Sequence, residues 1–507
     1  MSERCYSYHI FYFPFKWELP GEEKKLFSEQ VDLKHIPITP YSMWERKQIT
    51  PSEKIVSNSE QDQKEATELF AEQQYYFEFV HPVLYDVEDE ANPIIAHFER
   101  REPKGGEVQY IIQHGQKEYI LHLDSINLNL YSTGVGIMSF YMSNRREDQK
   151  NESSVRDINQ FGRRIMPPHC GEIRFGRRGM LAERISIKGL HNDVNQRYSD
   201  SYEYSADGKS KFGLANKWQP AAFICNLIDD LSPGLKVTPV IDDRMLVNCW
   251  YGNNELSNEI KYNSEEFMNS PLWYKYVFVD SGDEDWDVTC QNDEMKRDLI
   301  NDSTYMRWQN FGTLYGITRY SMVILTDESD FSMDIVAIHM RTIYSRMFEL
   351  GIIQRASMLR FSGEVTRVSA LGQDNKIIAS RIGSIYKEYI RFVNQIYFRS
   401  VTAQDQGIEI YEKLLKQFNS KELITDLDDE IGELHQYITL LIEQKRNENS
   451  EWLNTLATIF LPATVIAGLF GMNSFRDSFE ITDFMGQFLF IVVFSILIYC
   501  AIKKRRK

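Results

Sequence analysis

The stretch Leu453-Asn454-Thr455-Leu456-Ala457-Thr458-Ile459-Phe460-Leu461-Pro462-Ala463-Thr464-Val465-Ile466-Ala467-Gly468-Leu469-Phe470-Gly471-Met472-Asn473 decides how the rest of this chain is read. Its apolar part has about the length a helix needs to cross a bilayer. After a short polar connection, a second apolar run covers 484–502, and Lys503-Lys504-Arg505-Arg506-Lys507 follows it. Two such runs in tandem, with few charges inside and a basic stop, predict two transmembrane helices rather than two buried core helices. The basic tail belongs on the cytoplasmic side. Two crossings then place the long N-terminal part in the cytoplasm as well. Pro462 in mid-span is tolerated where neighbouring helices re-satisfy the freed backbone. Met1-Ser2-Glu3-Arg4 carries no secretory-signal pattern.

Outward from that stretch, composition narrows the class. The chain has 507 residues and a net charge of −16, more length than one domain needs and the wrong sign for a general nucleic-acid binder. Its six cysteines, Cys5, Cys170, Cys225, Cys249, Cys290 and Cys500, are far apart, with no Cys-x-x-Cys spacing. That suits a reducing compartment and argues against a zinc knuckle or a disulfide framework. There is no P-loop, no His-Glu-x-x-His, no Gly-x-Ser-x-Gly and no clustered His/Asp metal set. An enzyme is therefore not expected, and no covalent cofactor is implied.

The first 330 residues read as an α+β cytosolic, ligand-sensing domain. Strands are predicted at 8–17, 107–113, 119–123, 128–131, 137–141, 237–241, 245–250 and 274–279, with turns at His114-Gly115 and 132–136. The Ser-, Tyr-, Asp- and Gly-rich stretch 200–213 reads as an exposed loop. From about Ser332 the texture turns helical. Helices are predicted at 333–350, at 375–398 and from Ala403 into the first span, with Asn419-Ser420 the point that would interrupt the last. Ile424, Leu427, Ile431, Leu434, Ile438 and Leu441 alternate spacings of three and four, as a coiled-coil seam does. The acids beside it, Asp426, Asp428, Asp429, Glu430 and Glu433, read first as a solvated face and second as divalent-ion sensing sites. The resulting organisation is a sensing domain at 1–330, a helical stalk at 331–452, a first span at 453–471, an extracytoplasmic loop at 472–483, a second span at 484–502 and a basic tail at 503–507.

Arginine is concentrated in an otherwise acidic chain. Arg145, Arg146, Arg156, Arg163, Arg164, Arg174, Arg177, Arg178 and Arg184 fall within forty residues, and two pairs follow a glycine, at Gly162-Arg163-Arg164 and Gly176-Arg177-Arg178. Guanidinium forks suit phosphate oxygens, and glycines let backbone N–H groups approach an anion. Arg145, Arg146, Arg163, Arg164, Arg177 and Arg178 are thus candidate ligands of a phosphate-bearing molecule. Salt bridging, or a solvated basic loop, is the competing reading.

The C-terminal stretch resembles the CorA family of divalent-cation channels and transporters. Asn447-Glu448, Ala457-Thr458-Ile459-Phe460, Pro462, Thr464, Ile466-Ala467-Gly468, Phe470 and Gly471-Met472-Asn473 stand in the order and spacing usual in that family. The resemblance implies a funnel-shaped homopentamer in the bacterial inner membrane, with a long stalk helix running into the first span and both termini cytoplasmic. It implies pore-lining positions at Thr464, Leu461, Leu453 and Asn447, with Gly471, Met472 and Asn473 at the mouth. A ring of amide and carbonyl oxygens there would hold a hydrated Mg²⁺ or another divalent ion, which gives up its waters reluctantly. Leu453 and Leu461 would close the path by dewetting. One departure bears on Mg²⁺ uptake: the family's Met-Pro-Glu-Leu-type loop is replaced by 474–483, where Asp477, Glu480 and Asp483 accompany Arg476.

A second resemblance covers the N-terminal part. Phe11-Tyr12-Phe13-Pro14-Phe15-Lys16-Trp17, Asp242-Asp243-Arg244-Met245, Gly316-Ile317-Thr318-Arg319-Tyr320, the stretch 354–362 and Thr402-Ala403-Gln404-Asp405-Gln406-Gly407 are similar to the large CorA-like membrane effectors of type III CRISPR antiviral defence. That resemblance implies gating by a nucleotide second messenger, an S-adenosylmethionine–AMP conjugate (SAM-AMP) or a related oligoadenylate. The alternative is a Mg²⁺ or other divalent-cation transporter gated by intracellular metal. Partners are then the lipid bilayer, further copies of the chain and a small nucleotide, with no direct nucleic-acid binding.

Overall fold

The computed structural model of the chain describes residues 4–19, 33–40, 42–49, 69–88, 90–102, 106–163, 182–191, 193–201, 220–280, 288–369 and 375–473, with 485–486, 489–490, 493 and 497 beyond them. Among these, thirteen strands join in one sheet: β1 (Ser7–Glu18), β2 (Trp44–Arg46), β3 (Ile95–Arg100), β4 (Gln109–His114), β5 (Lys117–Tyr131), β6 (Val135–Asn144), β7 (Arg184–Lys188), β8 (Ser199–Ser201), β9 (Lys236–Pro239), β10 (Leu246–Gly252), β11 (Thr304–Tyr305), β12 (Leu314–Ile317) and β13 (Ser321–Thr326). The main order is β11-β12-β13-β10-β1-β6-β5-β4-β7-β8. Only the β10–β13 pair is parallel among these, Val247 lying opposite Ser321.

β1 shows why the sheet sits in the centre. Its residues alternate between two buried faces, as a strand's must. Phe11, Phe13, Phe15 and Trp17 enter one large core with Phe98, Tyr110 and Phe140. On that side lie α1 (Glu152–Gly162), α2 (Ala222–Leu231), α3 (Asn254–Tyr262), α4 (Ser264–Met268) and α5 (Pro271–Phe278), which supply Val155, Phe223, Leu256, Phe267 and Trp273. Tyr8, Ile10 and Tyr12 are buried on the other face. α6 (Asp293–Ser303) precedes the β11–β13 end of the sheet. Next comes a helical run that starts with two π-turns, Ser332–Val336 and Met340–Tyr344, around one α-turn, Ala337–His339. It continues as α7 (Ser345–Ser369) on the second face, where the Tyr12 and Phe348 rings meet edge-on at 5.6 Å.

α8 (Asn375–Gln395), α9 (Asp405–Gln417) and α10 (Ser420–Asn473) complete the described chain. Gly351 lets α9 come close: a Cβ there would lie 2.9 Å from Leu414 Cδ2. Chain contacts define two compact units, Met1–Gly372 with Gly383–Asp429, and Gln373–Ile382 with Glu430–Lys507.

The α+β class and the helical C-terminal half agree with the sequence reading; two local readings need correction. Residues 119–123 and 128–131 are one strand, β5, whose register shifts between Leu123 and Ser125, so a bulge stands where two strands were expected. The β-prone 274–279 is helical. Ser270 caps α5 by accepting from Trp273 N, and Pro271 sits at its first turn, a start signal that outweighs the aromatic composition. The helix from Ala403 is interrupted at Asn419, the point named from the sequence, where a φ of 55° is left-handed. Of the predicted loop, only Asp200 and Ser201 are described, in β8; the remainder lies outside the described residues.

Candidate functional site

α10 is one helix of 54 residues ending at Asn473. At 1.5 Å per residue it is about 80 Å long. The α9 preceding it is held at both ends. Glu409 takes Arg307 Nη1 at 2.5 Å and the Tyr305 hydroxyl. Lys413 and Gln417 donate to the Asp302 carbonyl at 2.8 and 3.0 Å. The seam residues Ile424, Leu427, Ile431 and Ile438 are buried within the single chain. Tyr389 of α8 donates to Asp428 at 3.2 Å. The acids flanking the seam are exposed, and among the described residues no group of three acids, histidines or cysteines could hold a metal.

Further along α10 the apolar side chains turn outward. Tyr437, Leu440, Trp452, Leu453, Phe460 and Leu461 are all more than half exposed in the single chain. Such a surface marks contact with lipid or with other chains. At about 100° per residue, Asn447, Leu453, Leu461 and Thr464 fall within roughly a third of the helix circumference. One face can therefore present an amide, two leucines and a hydroxyl in succession. The Thr464 hydroxyl donates to the Phe460 carbonyl at 2.6 Å, which leaves its oxygen as an acceptor. Gly471, Met472 and Asn473 close the helix; their side chains, like the loop 474–484, lie outside the described residues. Among the described residues no helix is long and apolar enough to cross a membrane. Asn454, Thr455, Thr458 and Thr464 lower the hydropathy of the first stretch, and 484–502 is mostly outside the described residues.

The candidate phosphate ligands are only partly in view. Arg145 donates to Ser143 Oγ at 2.9 Å and to Asp124 at 3.1 Å. Arg146 forks onto Asp148 at 3.0 and 2.8 Å, and that hydrogen bonding holds the Asp148 carboxyl below its usual range. Arg163 is buried at the end of α1 and donates to the Val279 carbonyl at 3.3 Å. Val279 is the left-handed C-cap of α5. Arg164, Arg177 and Arg178 lie outside the described residues.

Two features escaped the sequence reading. One is a buried charge network. Arg346 lies 3.4 Å from Glu72 and 3.9 Å from Glu349. Burial alone would lower its pKa, but Glu72, Tyr141 and Glu349 outweigh that and raise it. Tyr85 donates to Glu72 at 2.9 Å, and Tyr131 of β5 donates to Glu349 at 3.1 Å, which ties α7 to the sheet. The other is a cavity of about 540 Å³ among Trp308, Phe311, Tyr315, Phe331, His339 and Gln406. Its walls come from residues a hundred positions apart, so no local motif announces it.

Residues 362–504 match the family described as CorA-like Mg²⁺ transporter protein. Neither the curated proteins nor the solved structures contain a match to the chain. The matched segment starts within α7 and takes in the long helix and its Gly-Met-Asn end. Over residues 362–504, a little over a quarter of its length, this chain is similar to the CorA-like Mg²⁺ transporter family.

Proposed function

We propose that this chain is the subunit of a homopentameric membrane channel for divalent cations, opened or closed by a nucleotide messenger bound in the N-terminal unit. The observation that carries the reading is α10: one helix begins beside the anchored α9 and ends at Gly471-Met472-Asn473. In this reading a displacement at its first turn is passed along the helix to its far end. Two spans per chain cannot enclose water, so a ring of copies is needed, with the Asn447–Leu453–Leu461–Thr464 face turned to the axis. Rings of Asn473 amides would meet the hydrated ion, and the leucine rings would gate by dewetting. Both termini are cytoplasmic in this reading, in the bacterial inner membrane. The resemblance to CRISPR-associated CorA-like effectors supports a SAM-AMP or oligoadenylate messenger and a role in antiviral defence.

The test joins assembly to conduction. Mass photometry in nanodiscs should give five copies per particle, and Asn473→Ala should keep that mass while abolishing divalent-cation flux into liposomes. A stable monomer or dimer, or wild-type flux through an assembled Asn473→Ala, contradicts the reading.

A further inference from the structure

The cavity among Trp308, Phe311 and Phe331 has the features of a small-molecule site. Its volume of about 540 Å³ is within the range of ligand pockets. Phe311 and Phe331 are 71% and 67% exposed, although both belong to the folded first unit. Trp308 and Phe311 lie tilted at 57° to one another with ring centroids 6.2 Å apart. Gly312 makes this wall possible. Its φ is +76°, and a Cβ would fall 2.1 Å from Ser257 Oγ.

The floor is polar and held in place. Gln406 Nε2 donates to the Tyr344 hydroxyl at 2.7 Å and the Tyr315 hydroxyl at 3.3 Å. Its Oε1 receives no hydrogen bond among the described residues. His339 stands between the two π-turns, a helix irregularity frequent at functional sites. Neither of its ring nitrogens has a hydrogen-bond partner among the described residues, and burial lowers its pKa, so the ring is neutral and offers one donor and one acceptor. Asp327 receives Ser329 N at 3.3 Å and Ser329 Oγ at 2.7 Å on a single oxygen, Oδ1, which also takes the Ser332 hydroxyl. Oδ2 remains open to an N–H or O–H donor. No lysine or arginine is among the described lining residues. Any phosphate on the ligand must therefore lie outside, where the Arg307 guanidinium sits 5.7 Å from the Trp308 ring.

Aromatic faces, an amide oxygen, a neutral imidazole and one open carboxylate oxygen together select a flat heteroaromatic ring that carries hydroxyl or amino donors. We propose that this cavity is a nucleoside site, in which a purine-type ring stacks among Trp308, Phe311 and Phe331 while Gln406, His339 and Asp327 meet its polar edge and sugar. The proposal names the site that the sensor reading requires and rests on that reading for its role in gating, though not for binding itself.

The test is equilibrium titration of the full-length protein in detergent with AMP and adenosine, and with ribose 5-phosphate as the probe lacking a base. AMP and adenosine should bind saturably and ribose 5-phosphate should not. Phe331→Ala and Trp308→Ala should each weaken AMP on the order of tenfold to a hundredfold, and Phe331→Tyr should retain it. Both aromatic side chains reach the cavity rim, so loss of binding in Phe331→Ala with an unchanged melting temperature is not a folding effect. Unchanged affinity in both alanine variants, equal binding of ribose 5-phosphate, or a change in assembly alone would overturn the proposal. Messenger-dependent flux that survives Phe331→Ala also overturns it and leaves the channel reading intact. Binding at this site with no effect on flux contradicts the gating reading instead.

Discussion

At the scale of single residues, the N-terminal unit depends on polar groups largely shielded from water. Arg346 is the clearest case, because two buried carboxylates and several tyrosines are arranged around one half-buried guanidinium. Removing one partner of such a set strands the others. Arg346→Met should cost about 3–5 kcal/mol, read as a lowered urea midpoint; a loss below about 1 kcal/mol would mean the network is not paired as described. His9 and His97 provide a second test. Burial lowers both to about 4 from an ordinary value of 6.5. Both rings are therefore neutral when folded and take up a proton on unfolding. Between pH 6.5 and about 4 the unfolded chain binds more protons, so stability falls as pH falls through that window. Each ring contributes about 1.4 kcal/mol per pH unit. The melting temperature should drop between pH 7 and pH 5, and His97→Gln should reduce the slope. Identical slopes in the two proteins would remove His97 from the effect.

At the scale of elements, the joint at Asn419 and the helix it starts matter most. The left-handed φ of Asn419 is a conformation asparagine adopts more readily than other side-chain-bearing residues. Past it, Gln444 is exposed in α10 and bonds Glu448 at 3.2 Å. Gln444→Pro removes an internal hydrogen bond and kinks the rod, at about 3 kcal/mol. It should leave AMP affinity in the N-terminal unit unchanged while abolishing the flux response. A normal response through the kinked helix would show that α10 does not carry the signal. Much of this level was legible in the sequence. The aromatic alternation of 8–17 marks β1 because both of its faces are buried, and Asn419-Ser420 was visible as a break. Two kinds of information were not legible. Tyr274 to Val279 is strand-like in composition, and only Ser270-Pro271 just before it reveals a helix start. The parallel pairing of Val247 with Ser321 depends on contacts seventy residues apart, which no local pattern encodes. The aromatic cavity was hidden for the same reason, since Gln406 reaches it from α9. Arg145 and Arg146 point to the opposite limit: their clustering was plain, but the acids that occupy them, Asp124 and Asp148, are decided by the fold.

At the scale of the whole molecule, a folded N-terminal unit shares one helix with a CorA-like domain. The outward leucines and aromatics of α10 form an exposed apolar surface, which the proposed channel would cover with lipid and four more copies. The sequence after Asn473 departs from the usual acidic motif of the CorA-like family, so the permeant ion is a question for measurement. The most direct measurement is the current across a planar bilayer containing the purified protein, with SAM-AMP added on the side facing the N-terminal unit. The account predicts a divalent-cation current that changes on addition of the nucleotide and is absent in Asn473→Ala. A steady current indifferent to nucleotide and closed only by Mg²⁺ on that side would contradict it and establish a metal-gated transporter in its place.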